Sequence, residues 1–343
     1  MAEIIVHAGM PKTGSSSIQS WLMQNHDRLT DGEIQLVVAT NRTRRNPGPE
    51  VHLEPLESGE VNSGQLILAW AGDGYAPRIP ERFVSELNLF AERYQKMIVT
   101  GEALSAFFYR LDAPFLTALD ELARAHTVRV AYYVRPQHTA IEAAWRQALF
   151  RQPSSPSEVV IEQAKTLHYL RTKEGVNDRA PHVDFAMRPF RSDLLGGASA
   201  VSDFTRTFLS IDTSGPDIHE NSGLPLELVN RLRHAPDGVF WNGAVERYPR
   251  RKLRAAAARL ELPASPEIKR SRHILRAYCR EVFEDDNREL IRQLSWPTHE
   301  FVPAARIRGH WDLTELDDLW TPNDSPAELA RLFDELSTAL EGR

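Results

Sequence analysis

Cysteine is nearly absent: Cys279 is the only one in 343 residues. A lone thiol excludes an internal disulfide and a cysteine-built zinc cage, and it points to a reducing, cytoplasmic setting. Long apolar runs are missing too. None reaches membrane-spanning length, so no membrane partner is expected. The opening MAEIIVHAG has neither the basic leader nor the apolar stretch of a signal peptide. Excess positive charge is also lacking. The formal net charge of −6 argues against non-specific nucleic-acid binding, though not against a small anionic ligand held by locally placed Arg and Lys. The acidic runs VFEDDN and DLTELDDLW carry no metal-ligand spacing and read as solvated helix surfaces, so no metal is expected. Lysine is scarce beside arginine, and Lys12 is the only one before Lys96.

What remains is an ordinary globular composition, 42% hydrophobic and 26% charged, without internal repeats or low-complexity segments. Residues 3–8 read as a buried strand and Ser15 to about Asn25 as a helix. A second strand is expected over 34–39, followed by a polar excursion from Thr40 to Gly64. Apolar periodicity predicts helices over 80–96, 114–125, 140–150 and 199–209. Strands are expected over 97–100, 128–135 and 182–190. Alternation of this kind predicts an α/β fold with a parallel, helix-covered sheet. The simplest partition is one domain over 1–343, with a core over about 3–215 and a helical C-terminal portion over about 216–343, broken at Pro263, Pro266 and Pro297.

The first strand and helix are joined by HAGMPKTGSSSIQ. A glycine-bearing turn between a strand and a helix aims several backbone N–H groups at one point, and the helix dipole adds partial positive charge there. Lys12 supplies a full charge, and Thr13, Ser15, Ser16 and Ser17 supply hydroxyls around Gly14. That set exceeds what helix capping needs and suits the oxygens of a phosphate or sulfate. It does not match the G-x-x-x-x-G-K-[ST] loop, because the lysine precedes the second glycine. Nor does any later strand end in an acidic residue for Mg²⁺. The clearest buried strand, VRVAYYVR, ends instead in Arg135, whose forked donors suit a phosphate dianion.

The stretch GMPKTGSSSIQ resembles the 5′-phosphosulfate loop of sulfotransferases that use 3′-phosphoadenosine 5′-phosphosulfate (PAPS), in particular their soluble bacterial branch. YYVRPQHTAIEAAWRQAL (132–149) is similar to the family's 3′-phosphate segment, a strand ending in Arg followed by a helix. The serine that this segment usually carries is Ala143 here, and Thr139 is the nearest hydroxyl to compensate. MRPFRSDLLGGASAVSDFTRTFL (187–209) and EDDNRELIRQL (284–294) resemble later segments of the same family more loosely. The resemblance implies a P-loop-like sheet and PAPS as co-substrate without metal. It assigns nucleotide-binding roles to Lys12, Thr13, Gly14, Ser15, Ser16, Ser17, Arg135 and Thr139. The acceptor is expected to be a hydroxyl of a carbohydrate or small metabolite, with no nucleic acid or membrane involved.

Lys12 would meet the bridging oxygen as charge builds up on it. For the general base, Glu102 in VTGEALS stands first, at the end of a predicted parallel strand and similar to the family's Ser-Glu-x-Leu-Ser segment. His52, in the polar excursion, is the second candidate. His7 reads as a packed strand residue, and His138 as an assistant near the nucleotide. Two alternatives stay open: a nucleoside or metabolite kinase with an altered phosphate loop, and a nucleotide-binding protein that has lost transfer.

Overall fold

Strand β1 (Glu3–His7) is the axis of the sheet, with Ile4, Ile5, Val6 and His7 all at 0% exposure. A strand buried on both faces needs covering layers on both sides, and β-branched residues suit its pleat. In the computed structural model, the described residues are 1–10, 13–40, 52–55, 79–101, 104–148, 155–190, 199–213, 226, 228, 266–296, 301, 312–319, 327, 331, 332, 334–336 and 338; of these, 38–40, 52–55, 79–82 and 146–148 are described by backbone only.

The other strands are β2 (Ile34–Thr40), β3 (His52–Pro55), β4 (Lys96–Thr100), β5 (Thr127–Val134) and β6 (Asp184–Pro189). They form one sheet in the order β3-β2-β4-β1-β5-β6. Five strands are parallel, as the alternating pattern predicts, and β3 pairs antiparallel to β2 at the edge. β3 lies inside the polar excursion, where no strand is expected from sequence. No helical crossover is needed for it, because an antiparallel neighbour requires only a reversal of the chain.

Helices cover both faces. On one, Tyr132 of β5 packs on Phe108 of α4 (Ser105–Tyr109) and on Phe185 of β6, and Phe108 meets Phe115 of α5 (Ala113–Ala125). Asp112 caps α5 by accepting from the Phe115 N–H at 3.0 Å. α3 (Ile79–Ala91) joins this layer through Phe83, 6.1 Å from Phe115. It ends earlier than its apolar stripe suggests, and Phe90 stacks on Tyr94 beyond its last turn. α1 (Ser15–Gln24) and α9 (Ala200–Phe204) pack together, and Phe204 of α9 covers the opposite face, its ring 5.3 Å from that of His7. A π-helical turn (Thr205–Leu209) continues α9, and Phe208 stacks on Phe204.

The chain divides into two compact units. One comprises 1–135, 168–221 and 286–297, and so contains the whole sheet. The other comprises 136–167, 222–285 and 298–343. Its described helices are α6 (Gln137–Ala148), α7 (Pro156–Ala164), the first part of α10 (Pro266–Leu294) and α11 (Glu315–Leu319). Polar bonds tie this unit together internally. Asp317 accepts from the Ser157 N–H and hydroxyl at 2.9 and 2.6 Å, and Arg272 pairs with Glu142 at 3.1 Å. Helix therefore dominates the described C-terminal part, as expected. In the first unit, α2 (His26–Asp31) follows α1 and α8 (Tyr169–Arg179) precedes β6.

Candidate functional site

Strand order decides where a ligand site belongs. From β1 the chain crosses to β2 on one side, whereas from β5 it crosses to β6 on the other. The connections leaving these adjacent strands therefore diverge, and in open α/β sheets such a point is where ligands bind, beyond the C-terminal ends of the strands. The residues bordering that point are the turn after His7 and the end of β5 at Arg135.

Pairing continues past β1 and holds the turn against β5. The Ala8 N–H donates to the Ala131 carbonyl at 3.0 Å and the Met10 N–H to that of Tyr133 at 3.1 Å. On the other side the Gly101 N–H donates to the His7 carbonyl at 3.0 Å. Thr13 then closes the turn on itself, with its N–H and hydroxyl reaching the Met10 carbonyl at 3.2 and 2.6 Å. Gly14 is the N-cap of α1 at φ 79°, in the left-handed region where glycine alone is unstrained. A side chain there would also strike the Phe190 ring, 2.7 Å from an ideal Cβ.

The first helical bond of α1 runs from the Ile18 N–H to the Gly14 carbonyl at 3.1 Å. The N–H groups of Ser15, Ser16 and Ser17 precede it and have no carbonyl within the helix. Glycine offers no side-chain cap, and no acidic residue occupies the first turn. The helix thus begins with three aligned donors and uncompensated positive dipole, which favours an anion.

Phe190 links the two halves of this edge. Its ring faces the Gly14 Cα, and the Arg135 guanidinium lies 5.8 Å from its centroid. The Phe190 N–H donates to the Val134 carbonyl, and the Arg135 carbonyl accepts from the Tyr169 hydroxyl at 2.9 Å. Thr13 through Ser17 and Arg135 are thus brought to one edge of the first unit. Matched against protein-family models, curated proteins and solved structures, the chain finds no counterpart in any of them. The chemistry of the site must be read from its own residues.

Lys12 and Glu102 lie outside the described residues, although Gly101, directly before Glu102, is hydrogen-bonded beside the turn. His52 opens β3 and pairs with Thr40, at the same edge of the sheet but three strand spacings, about 14 Å, from β1. Thr139 belongs to the second unit, where its hydroxyl donates to the Pro136 carbonyl at 2.7 Å. Ala143 and His138 are part-buried in α6 of that same unit. Among the described residues no cluster of His, Cys, Asp or Glu could hold a metal ion, and no helix is long and apolar enough to cross a membrane.

In the sequence the hydroxyls of the turn are equivalent, and the fold separates them. Thr13 and Ser15 are buried at 0% and 3% exposure, whereas Ser16 is part-buried at the rim. His7 is packed, as expected, with its ring against those of Tyr133 and Phe204 and its Nδ1 2.8 Å from the Thr100 hydroxyl. Burial holds its pKa down from 6.5 to about 3, so the ring is neutral at ordinary pH. Beneath it, Tyr133 donates to Asp203 at 2.7 Å, and Asp203, fully buried, is gripped by the Nε and Nη2 of Arg188. Thr100, Gln19 and Phe190 were not legible as site residues. Their only signal was position at strand ends and on α1, which acquires meaning once register is known.

Proposed function

We propose that the chain is a PAPS-dependent sulfotransferase that moves a sulfuryl group to a hydroxyl of a carbohydrate or small metabolite, on a P-loop-like sheet. The observation that carries this reading is the meeting of the unpaired α1 N-terminus and the Arg135 guanidinium, joined by Phe190, where strand connections diverge. Two separated anion-binding elements at one edge suit a ligand with phosphate groups on the 3′ and 5′ oxygens of one ribose. The lysine-before-glycine order favours phosphosulfate over a magnesium-bound triphosphate.

In this reading the 5′-phosphate takes the N–H groups of Ser15, Ser16 and Ser17, and the 3′-phosphate takes Arg135. The acceptor oxygen attacks sulfur in line as the bond from sulfur to the bridging oxygen breaks. Adenosine 3′,5′-bisphosphate leaves with the electron pair. Lys12 meets the negative charge growing on the bridging oxygen, and Glu102 takes the acceptor's proton, with His52 as the second candidate base. A sulfuryl group carries less charge than a phosphoryl group, so a lysine and backbone donors suffice where a kinase would need Mg²⁺.

Calorimetry with adenosine 3′,5′-bisphosphate, and separately with Mg-ATP, tests the nucleotide. Bisphosphate is expected to bind and Mg-ATP to bind weakly; the reverse preference would replace this reading with the kinase. Arg135→Ala should weaken bisphosphate binding tenfold or more, since a charge-assisted hydrogen bond contributes about 1.5–3 kcal/mol. A labelled-sulfate assay against hydroxylated acceptors then separates an enzyme from a binder, to which Ala143 would point. Lys12→Ala should abolish transfer, and unchanged turnover in Glu102→Gln would remove Glu102 as the base.

A further inference from the structure

The turn after β1 has a floor as well as a rim. A Cβ built on Gly9 would lie 2.8 Å from Ser15 Oγ, 2.9 Å from Thr13 Oγ1 and 3.2 Å from His7 Nε2. Polar atoms from the strand, the turn and the helix thus crowd around Gly9, where any side chain would press on all three. Thr13 Oγ1 is committed to the Met10 carbonyl. Ser15 Oγ and His7 Nε2 are buried with no hydrogen-bond partner, on residues 3% and 0% exposed. Buried polar groups are rarely left in that state, so this pair beside Gly9 asks for a partner.

The neighbours of His7 favour one tautomer. Gln19 Nε2 donates to Thr100 Oγ1 at 3.3 Å, using that oxygen as an acceptor. The Thr100 hydroxyl hydrogen then has His7 Nδ1, at 2.8 Å, as its acceptor among the described residues. With Nδ1 accepting from that hydroxyl, the ring proton belongs on Nε2; the opposite tautomer would have Nδ1 donate to the same oxygen. The Tyr133 and Phe204 rings pack against it, and burial keeps it uncharged. In the Nε2–H tautomer, His7 presents a neutral N–H donor to the underside of the turn.

We propose that His7 Nε2–H and the Ser15 hydroxyl together hold one oxygen of the oxyanion bound by this turn, with Thr100 and Gln19 acting as positioning residues that fix the His7 tautomer. The proposal rests on the turn being an oxyanion site, as the proposed function has it. It requires neither sulfuryl transfer nor an adenine nucleotide.

The test is long-range ¹H–¹⁵N correlation on the histidine-labelled full chain, titrated in separate arms with inorganic pyrophosphate and with adenosine 3′,5′-bisphosphate. The expected result is a neutral Nε2–H tautomer before addition, and a His7 Nε2 resonance that moves in step with the binding isotherm. An Nδ1–H tautomer, or a resonance unmoved at saturation as for a floor that holds only water, overturns the proposal. In calorimetry, Ser15→Ala and Gly9→Ala should each weaken oxyanion binding roughly tenfold or more. His7→Gln, which keeps an N–H, should lose less than His7→Leu, and circular dichroism confirms that each variant is folded. Wild-type affinity in Gly9→Ala would also overturn the proposal. Pyrophosphate binding with these effects but no bisphosphate binding would sustain it while removing the sulfotransferase reading, and a wild-type chain that binds neither anion would remove both.

Discussion

Replacing His7 by glutamine should change how the fold responds to acid, by an amount the structure allows to be worked out. His7 has no exposed surface, and burial lowers its pKa from 6.5 to about 3. A depressed histidine pKa means that the unfolded chain binds the proton more readily than the folded one. The contribution to stability is therefore complete above the unfolded value and is lost as pH falls from 6.5 towards 3. At pH 5 the unfolded imidazole is almost fully protonated and the folded one almost fully neutral, which costs the folded state about 2 kcal/mol relative to neutral pH. Below the folded value the full difference of 3.5 pH units would correspond to roughly 5 kcal/mol. Urea unfolding of wild type and His7→Gln at about pH 7.5 and about pH 5 measures this directly, since all other titrating groups are common to both proteins and cancel. Wild type should lose about 2 kcal/mol more than the variant between the two conditions. Parallel losses would refute the reasoning and mean that His7 takes up a proton within the fold.

Other consequences concern the frame around the turn. Gly14→Ala places a side chain at φ 79° and within 2.7 Å of the Phe190 ring, so it should destabilise the fold by about 2–4 kcal/mol in thermal or urea unfolding. Gly32→Ala, at φ −85° and with neighbours no nearer than 3.4 Å, is the control and should change stability by about 1 kcal/mol at most. Asp203→Asn leaves the Arg188 guanidinium without its buried counter-charge and weakens the bond from Tyr133. Breaking a buried pair costs about 3–5 kcal/mol, and the lower end applies because the Arg188 side chain keeps 31% exposure. An unfolding midpoint equal to wild type would show that this network does not hold α9 against β5 and β6.

Lysine scarcity gains a second meaning at the other end of the sheet. Lys96 is tied to Glu3 at 2.8 Å and to the Phe208 carbonyl at 3.2 Å, and Arg129 reaches Glu3 and Asp184. These cations are occupied structurally at the N-terminal ends of the strands. Nothing in their sequence context separates them from cations that meet a ligand, because an ion pair is made by residues far apart in the chain.

Sequence by itself determined what depends on neighbours along the chain. The β-branched run of β1, the Gly14 turn, the hydroxyl-rich start of α1, and Arg135 at the end of an apolar strand are local patterns. Local sterics and hydrophobic periodicity suffice to read them. The antiparallel edge strand β3 was not legible, because its pairing is a long-range choice made inside a polar stretch. Tertiary structure alone decided the strand order that sets Arg135 beside the turn, and the register that pairs His7 with Thr100. It also turned Ser15 inward while Ser16 stayed at the rim. The physical reason is that strand order and register are fixed by packing two helical layers on one sheet, which no segment encodes alone. HAGMPKTGSSS reads in its letters as a candidate anion-binding turn, but the buried polar atoms beside Gly9 become visible only when β4 and α1 close around His7.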